Sequence, residues 1–464
     1  ATLARTATIT AKKAAVVTIS RVASSMRRSF QKTRTEARTK PGGARDAEAA
    51  AVDGEGAGAN RAIPRDPILT LIATSVDSQE GARFAIETAR RGPRTPEHMT
   101  RRTRATKRIA VLYNVDYEDS LPETDPAWAA RAEVGRVAAA VAAALTEAGH
   151  DAQLVGIDGD LASLRDTLVE IDADCVFNLC ESMVGDARLE SAVPLLLELL
   201  GIPFTGSPPE ALSFGLRKDR VKQRLEAAGI PTPAGRVLVR PDDACDLPFP
   251  LIVKPVREDG SVGIWSTSVV GDAASLRRAV DAVVTSLRQP CLVEQFVDGR
   301  EFNVALLGHP TPRVLPLSEI DFTGLPAETP RIVSYDAKWN SGSVDDLGTV
   351  PVLHPSLPGA VAARVRRVAT DAFRAVGVRD YGRVDVRLAA TGVPYVVDVN
   401  PNCDLSPNAG MARAAAAVGI DYGALVGLLV RYALRRRRAG ASITAREVRP
   451  AARSGGQGGY SSGR

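Results

Sequence analysis

The stretch YGRVDVRLAATGVPYVVDVNPN, residues 381–402, decides how this chain is read. Residues 383–388 and 395–399 are apolar runs with polar residues at alternate positions, and Thr391-Gly392 between them is a turn signal. The pattern predicts a β-hairpin. Alternation puts Arg383 and Asp385 on one face of the first strand, and Asp398 and Asn400 on one face of the second. Antiparallel pairing can bring those faces together. Two carboxylates and an amide oxygen, with no histidine, suit Mg²⁺, which prefers hard oxygen ligands and leaves room for water and phosphate. Arg383 beside them suits neutralisation of charge on a transferring group. The plain alternative is a solvated hairpin face laced with salt bridges.

Upstream, Leu251-Ile252-Val253-Lys254-Pro255 ends an apolar strand on a lysine, and a Gly/Ser loop follows through Asp259-Gly260-Ser261-Val262-Gly263. Such a loop offers backbone N–H groups to phosphates, and its glycines suit a lid. Glu294-Gln295-Phe296-Val297 leads from another strand end toward Glu301. An acid there could accept from an adenine amino group or a ribose hydroxyl.

The rest of the chain frames these clusters. Residues 109–115, 152–155 and 175–179 read as strands, and 127–148, Leu161–Ile171 and 189–200 as helices. This alternation implies a parallel sheet with helices on its faces. A helix at 218–228 follows. Strands are expected near Val237 and at 251–254, 264–269, 291–296 and 302–307, with helices at Ala273–Leu287, 360–376 and 422–434. The expected fold class is therefore α/β followed by α+β.

Charge is uneven over the 464 residues. Residues 1–108 carry 22 Lys/Arg against 10 Asp/Glu, and 435–464 carry 8 Arg against one Glu, leaving 109–434 at −14. The pI of 9.0 belongs to the tails. An acidic body argues against specific nucleic-acid binding. No apolar run approaches the roughly 20 residues of a membrane span. Four histidines and five cysteines without a CxxC pair argue against zinc and fit a reducing, cytoplasmic compartment. Residues 1–107 read as a basic, mostly disordered extension. Its first forty residues resemble a transit peptide, with low-complexity sequence as the alternative. Residues 435–464 read as a disordered basic tail, with Arg435 to Arg438 a solvated helix end.

In order and spacing these clusters resemble the ATP-grasp ligases, and most closely the D-alanine–D-alanine ligases, from about Lys107 to Leu434. Other landmarks are Gly201-Ile202-Pro203-Phe204-Thr205-Gly206-Ser207, Lys218 through Lys222, and Tyr335-Asp336-Ala337-Lys338-Trp339. The resemblance implies an ATP-grasp fold preceded by a Rossmann-like domain. Its divisions would be 108–207, a central subdomain at 208–298 and a catalytic subdomain at 299–434. It implies an ATP-dependent carboxylate–amine ligase of peptidoglycan biosynthesis, using Mg²⁺ or Mn²⁺, acting on small amino acids and compatible with a homodimer. It implies that Lys218, Lys254 and Lys338 contact ATP phosphates, that Glu294 and the main chain near Val297 hold adenine, and that Glu301 holds the ribose. Asp385, Asp398 and Asn400 would bind the metal, and Arg383 would stabilise the oxyanion. Glu133 would receive the first substrate's ammonium, and Ser261 with its loop would close over the substrates.

Departures fall mainly in the amino-acid half. The family's Gly-rich segment after the first strand is Tyr113-Asn114-Val115-Asp116, its His-Gly is replaced by Asn178-Leu179-Cys180-Glu181, its metal-binding Glu is Asp398, and a Tyr after Lys338 is Trp339. Glu181 and Glu133 in one pocket would favour a substrate more cationic than D-alanine. Other functional readings are a ligase acting on a different amino-acid or amine pair, and a nucleotide-binding regulator without ligase activity. A regulator would have no need of the oxyanion arginine.

Overall fold

A computed structural model of the chain describes residues 106–115 and 126–444. The expectations for 1–105 and for 445–464 lie outside the described residues.

The first layer is a three-stranded parallel sheet in the order β2-β1-β3. Its parts are β1 (Arg108–Asn114), α1 (Pro126–Glu147), β2 (Asp151–Ile157), α2 (Leu161–Ile171) and β3 (Cys175–Asn178). From Ile109 to Leu112 β1 is apolar and buried because both of its faces are covered. Ile109 and Val111 pack on Val137, Val141 and Leu145 of α1, whereas Ala110 and Leu112 pack on Leu164 and Leu168 of α2. Asp160 caps α2 by accepting from Ala162 and Ser163 N–H groups. The helix expected at 189–200 is divided. A 3-10 turn covers Ala187–Leu189, and α3 runs from Ala192 to Leu199. Pro194 sits in the first turn of α3, where its missing N–H is tolerated.

Next come α4 (Pro209–Gly215) and α5 (Lys218–Ala227), then a four-stranded antiparallel sheet in the order β4-β7-β5-β6. Its elements are β4 (Gly235–Leu238), β5 (Leu251–Pro255), β6 (Val269–Val270), α6 (Ala273–Leu287) and β7 (Cys291–Gln295). Leu276, Val280 and Val283 of α6 cover Leu251, Val253 and Val293. The strand expected at 264–269 is corrected to the two residues of β6. Ser266–Ser268 form a 3-10 turn in which Ser268 Oγ accepts from the Trp265 N–H at 3.0 Å. Hydroxyl side chains satisfy the backbone locally here and displace sheet pairing.

The third layer is antiparallel in the order β11-β10-β8-β12-β13, with β9 beside β8. It contains β8 (Gly299–Leu307), β9 (Arg313–Val314), β10 (Ser318–Asp321), α7 (Tyr335–Trp339), α8 (Val344–Leu347), β11 (Val350–Leu353), α9 (Gly359–Val376), β12 (Tyr381–Ala389) and β13 (Pro394–Asn400). Val365, Ala369, Ala372 and Phe373 of α9 pack on Phe302, Val304, Val384 and Val396. Gly382 is required at its place, since a Cβ there would lie 2.7 Å from Val378 and 3.0 Å from the Asn400 carbonyl oxygen.

Helices α10 (Gly410–Ala416) and α11 (Tyr422–Thr444) complete the fold, and Leu425, Val426, Leu429 and Val430 join the core under β1. The expected end of order at Arg435 is corrected. α11 continues to Thr444, and Arg436 donates to Asp380, a fully buried carboxylate, and to the Phe204 carbonyl at 2.6 Å. Among the described residues no helix is long and apolar enough to cross a membrane.

Candidate active site

β12 and β13 pair with Arg383 opposite Asn400 and Asp385 opposite Asp398. The two strands therefore present all four side chains to one place. That place is a cleft between the four-stranded sheet and the six-stranded one. The residues given nucleotide, metal or oxyanion roles from the sequence all line it, as does Ser261 of the loop, whereas Glu133, Glu181 and Trp339 do not.

Within the cleft, cations and carboxylates are matched. Arg383 is bidentate to Asp385, with its Nε 2.7 Å from Oδ1 and its Nη2 2.9 Å from Oδ2. The Asn303 amide donates to the same carboxylate at 2.9 Å, and the Asn400 amide at 3.3 Å. Lys218, at the start of α5, reaches both Asp398 oxygens at 2.9 Å and Asp259 at 3.4 Å. Burial works against charge at Asp398, but Lys218 outweighs it and holds the carboxyl below its usual range. Burial likewise opposes the Lys218 charge, and Asp398 and Asp259 raise its pKa above normal. Asp259 itself is raised, because burial dominates there.

Deeper in, Glu294 lies between two lysines, with Lys222 at 2.6 Å and Lys254 at 2.7 Å. Burial pushes the Glu294 carboxyl up, and the two ammonium groups outweigh it and lower it. Each oxygen faces a lysine, and Glu294, expected at the adenine, lines the cleft. Glu294 aims Lys254 into the cleft. Glu301 is held by Arg387 at 2.7 Å, whose guanidinium also stacks 5.5 Å from the ring centres of Phe296 and Phe322. Val297 lines the same end of the cleft.

Lys338 is open to the cleft yet hemmed in by its walls, and burial together with Arg383 lowers its pKa. The Gly/Ser loop lies down over this end. Trp339 Nε1 donates to the Gly260 carbonyl at 2.8 Å, Ser261 Oγ to the Val333 carbonyl at 2.9 Å, and the Tyr335 N–H to the Ile264 carbonyl at 2.7 Å. Gly260 has φ +61°, a conformation in which glycine is at ease. With these contacts made, the cleft encloses about 150 Å³, below the ~300–1,000 Å³ of ordinary ligand pockets.

Glu133 stands apart. It lies two turns inside α1, pairs with Arg136 and lines neither this cleft nor its neighbour. The electrostatic benefit expected at a helix start fades after the first turn. Three partners were missed. Lys222 is one helical turn from Lys218, and Arg387 continues the alternation of Arg383 and Asp385, so periodicity would have found both. Asn303, on β8, is visible only once β8 pairs with β12.

Asp385, Asp398 and the Asn400 amide oxygen form a donor set of hard oxygens, which fits Mg²⁺. Among the described residues no group of three or more His, Cys, Asp or Glu forms a metal cluster of its own. The set would need water and phosphate oxygens to complete a shell.

The family description D-ala D-ala ligase C-terminus matches residues 240–431. The D-alanine–D-alanine ligase of Gluconobacter oxydans is 32% identical over 296 residues, 63% of this chain and 91% of that protein. This chain belongs to the D-alanine–D-alanine ligase family. It is an ATP-dependent ligase with the ATP-grasp fold. An uncharacterized protein of Sinorhizobium fredii, y4sG, is 36% identical over 344 residues, 71% of this chain and 97% of that one. In fold, the chain is similar to the Bacillus anthracis D-alanine–D-alanine ligase complexed with ATP. The TM-score is 0.57 at 20% identity, covering 72% of this chain and 100% of that one.

Proposed function

We propose that this enzyme joins two amino acids in an amide bond while converting ATP to ADP and phosphate. The carboxylate of the first attacks the γ-phosphate and forms an acyl phosphate. The amine of the second displaces phosphate from that acyl group. The observation that carries this reading is the register of β12 on β13, which faces Arg383 and Asp385 with Asn400 and Asp398 among three lysines.

Phosphoryl transfer of this kind depends on positioning and on neutralising charge. Lys218, Lys254 and Lys338 would take phosphate oxygens, the main chain at Val297 the adenine, and Glu301 the ribose. Asp385, Asp398 and Asn400 would hold Mg²⁺, which when bound would neutralise phosphate charge. Arg383 would stabilise the oxyanion of the tetrahedral intermediate. Ser261 and its loop would lift to admit the nucleotide and close again, keeping water from the acyl phosphate. In this reading Lys218 and Arg383 exchange their carboxylate partners for phosphate when ATP enters. ATP as substrate and five free thiols suit a reducing, cytoplasmic setting. The relatives named D-alanine–D-alanine ligases support an amino-acid pair, and the family supports a place in peptidoglycan biosynthesis.

The test is phosphate release. We expect it to require Mg²⁺, ATP and an amino acid together, with amide product equal to phosphate. ATP hydrolysis that ignores every amino acid would overturn the reading.

A further inference from the structure

A second cleft, of about 880 Å³, shares Asp259, Lys338, Arg383 and Asn400 with the first. Its volume falls in the range of ordinary ligand pockets, ~300–1,000 Å³. A molecule lodged there touches the side chains that neutralise the transferring group. This cleft therefore suits the amino acids rather than the nucleotide.

Four acids of its lining, Glu181, Glu190, Glu258 and Asp404, enter no ion pair among the described residues. Glu190 is only 7% exposed. Its Oε1 accepts from the Asn402 amide at 2.7 Å, and Asn402 is fixed in turn by the Tyr381 hydroxyl at 2.8 Å and the Cys180 carbonyl at 3.1 Å. Among the described residues no donor reaches Glu190 Oε2, and Glu190 is one of the residues lining the cleft. Glu181 is anchored through its backbone, whose N–H donates to Asn114 Oδ1 at 2.8 Å, and its carboxylate is open to the same cleft without a described partner. Asp404, close enough to repel Glu181, accepts among the described residues only from the Ser406 N–H and hydroxyl.

Most acids around the two clefts differ from Glu181 and Glu190, with Glu258 and Asp404 excepted. Asp385, Asp398, Glu294, Glu301 and Asp186 each sit against a lysine or arginine. A buried carboxylate without a counter-charge is unfavourable. Burial accordingly raises Glu190 well above its ordinary value, whereas Glu181 stands exposed at the mouth of the cleft, where Asp404 and Asp259 repel its charge. A ligand that brings positive charge relieves both. A single α-ammonium would leave this wall negative, whereas a substrate with two cationic groups balances the pair.

We propose that Glu181 and Glu190 receive the cationic groups of a diamino acid, so that the enzyme prefers an amino acid with a second amine over alanine. This rests on the ligase reading above. Phosphate release is measured with D- and L-forms of alanine, diaminobutyrate, ornithine and lysine, alone and in pairs. The expected kcat/KM for the best diamino acid exceeds that for either alanine by about tenfold or more, the worth of one charge-assisted hydrogen bond. Glu181→Gln is expected to reduce that ratio by about as much, since it keeps shape and removes charge. Glu190→Gln should act alike, with its melting curve showing whether the Asn402 contact survives. If D-alanine gives the highest kcat/KM, or if Glu181→Gln scales all substrates equally, the substrate assignment is wrong and the ligase reading stands. If no amino acid stimulates release, the ligase reading itself falls, and this assignment with it.

Discussion

The two neighbouring clefts handle charge in opposite ways. In the first, carboxylates are closed by cations of the same chain: Asp385 by Arg383, Asp398 by Lys218, Glu294 by Lys222 and Lys254. In the second, Glu181 and Glu190, like Glu258 and Asp404 beside them, enter no ion pair among the described residues. The first arrangement fixes lysines and an arginine at set points before any ligand arrives, which is what transfer of a phosphoryl group requires. The second leaves a demand that a substrate can meet. Chemistry common to the family is thus built from internal pairs, and selectivity from an unmet charge.

The largest break in this comparison should come from Glu294→Gln. It leaves Lys222 and Lys254 buried against each other without a counter-charge, and breaking a buried pair costs about 3–5 kcal/mol. Urea unfolding should show that loss. An unchanged midpoint would mean the two lysines are not held by Glu294. Arg383→Ala should lower kcat by about 100- to 1,000-fold, as loss of one preorganised oxyanion donor does. Steady-state kinetics separates this from weaker ATP binding, and a small, equal change in kcat and KM would make Arg383 structural. Trp339→Phe should have the smallest effect. It removes the hydrogen bond to the Gly260 carbonyl, worth about 0.5–1.5 kcal/mol, and loosens the loop. ATP hydrolysis without amide formation should rise a few-fold. A coupling ratio equal to wild type would show that Trp339 does not latch the loop.

Much of the first cleft was legible in the sequence because its residues sit on short-period elements. Arg383, Asp385, Asp398 and Asn400 follow from strand alternation, and Lys254 from its place at the end of an apolar strand. What was missed depends on contacts remote in sequence. Asn303 meets Asp385 only through the pairing of β8 with β12. Arg436 looked like part of a solvated basic run, yet its partner Asp380 is 56 residues away. Ser266–Ser268 carried apolar neighbours that suggested a strand, and the Ser268 hydroxyl closes a turn instead. Glu190 read as one more residue of a helix, and only the fold brings it against Asn402 in the lining of the second cleft. Glu133 was assigned by resemblance alone, and α1 carries it away from both clefts.

The central claim is that a substrate carboxylate takes the γ-phosphate of ATP in the cleft of Arg383 and the three lysines. Trapping with hydroxylamine tests it most directly. Enzyme, Mg²⁺, ATP and a single amino acid are mixed with hydroxylamine in place of the second amine, and the hydroxamate is measured. The account predicts hydroxamate formed in step with ADP, and lost in Arg383→Ala and Asp385→Ala. ADP formed without any hydroxamate, at an amino-acid concentration that speeds ATP turnover, would contradict it.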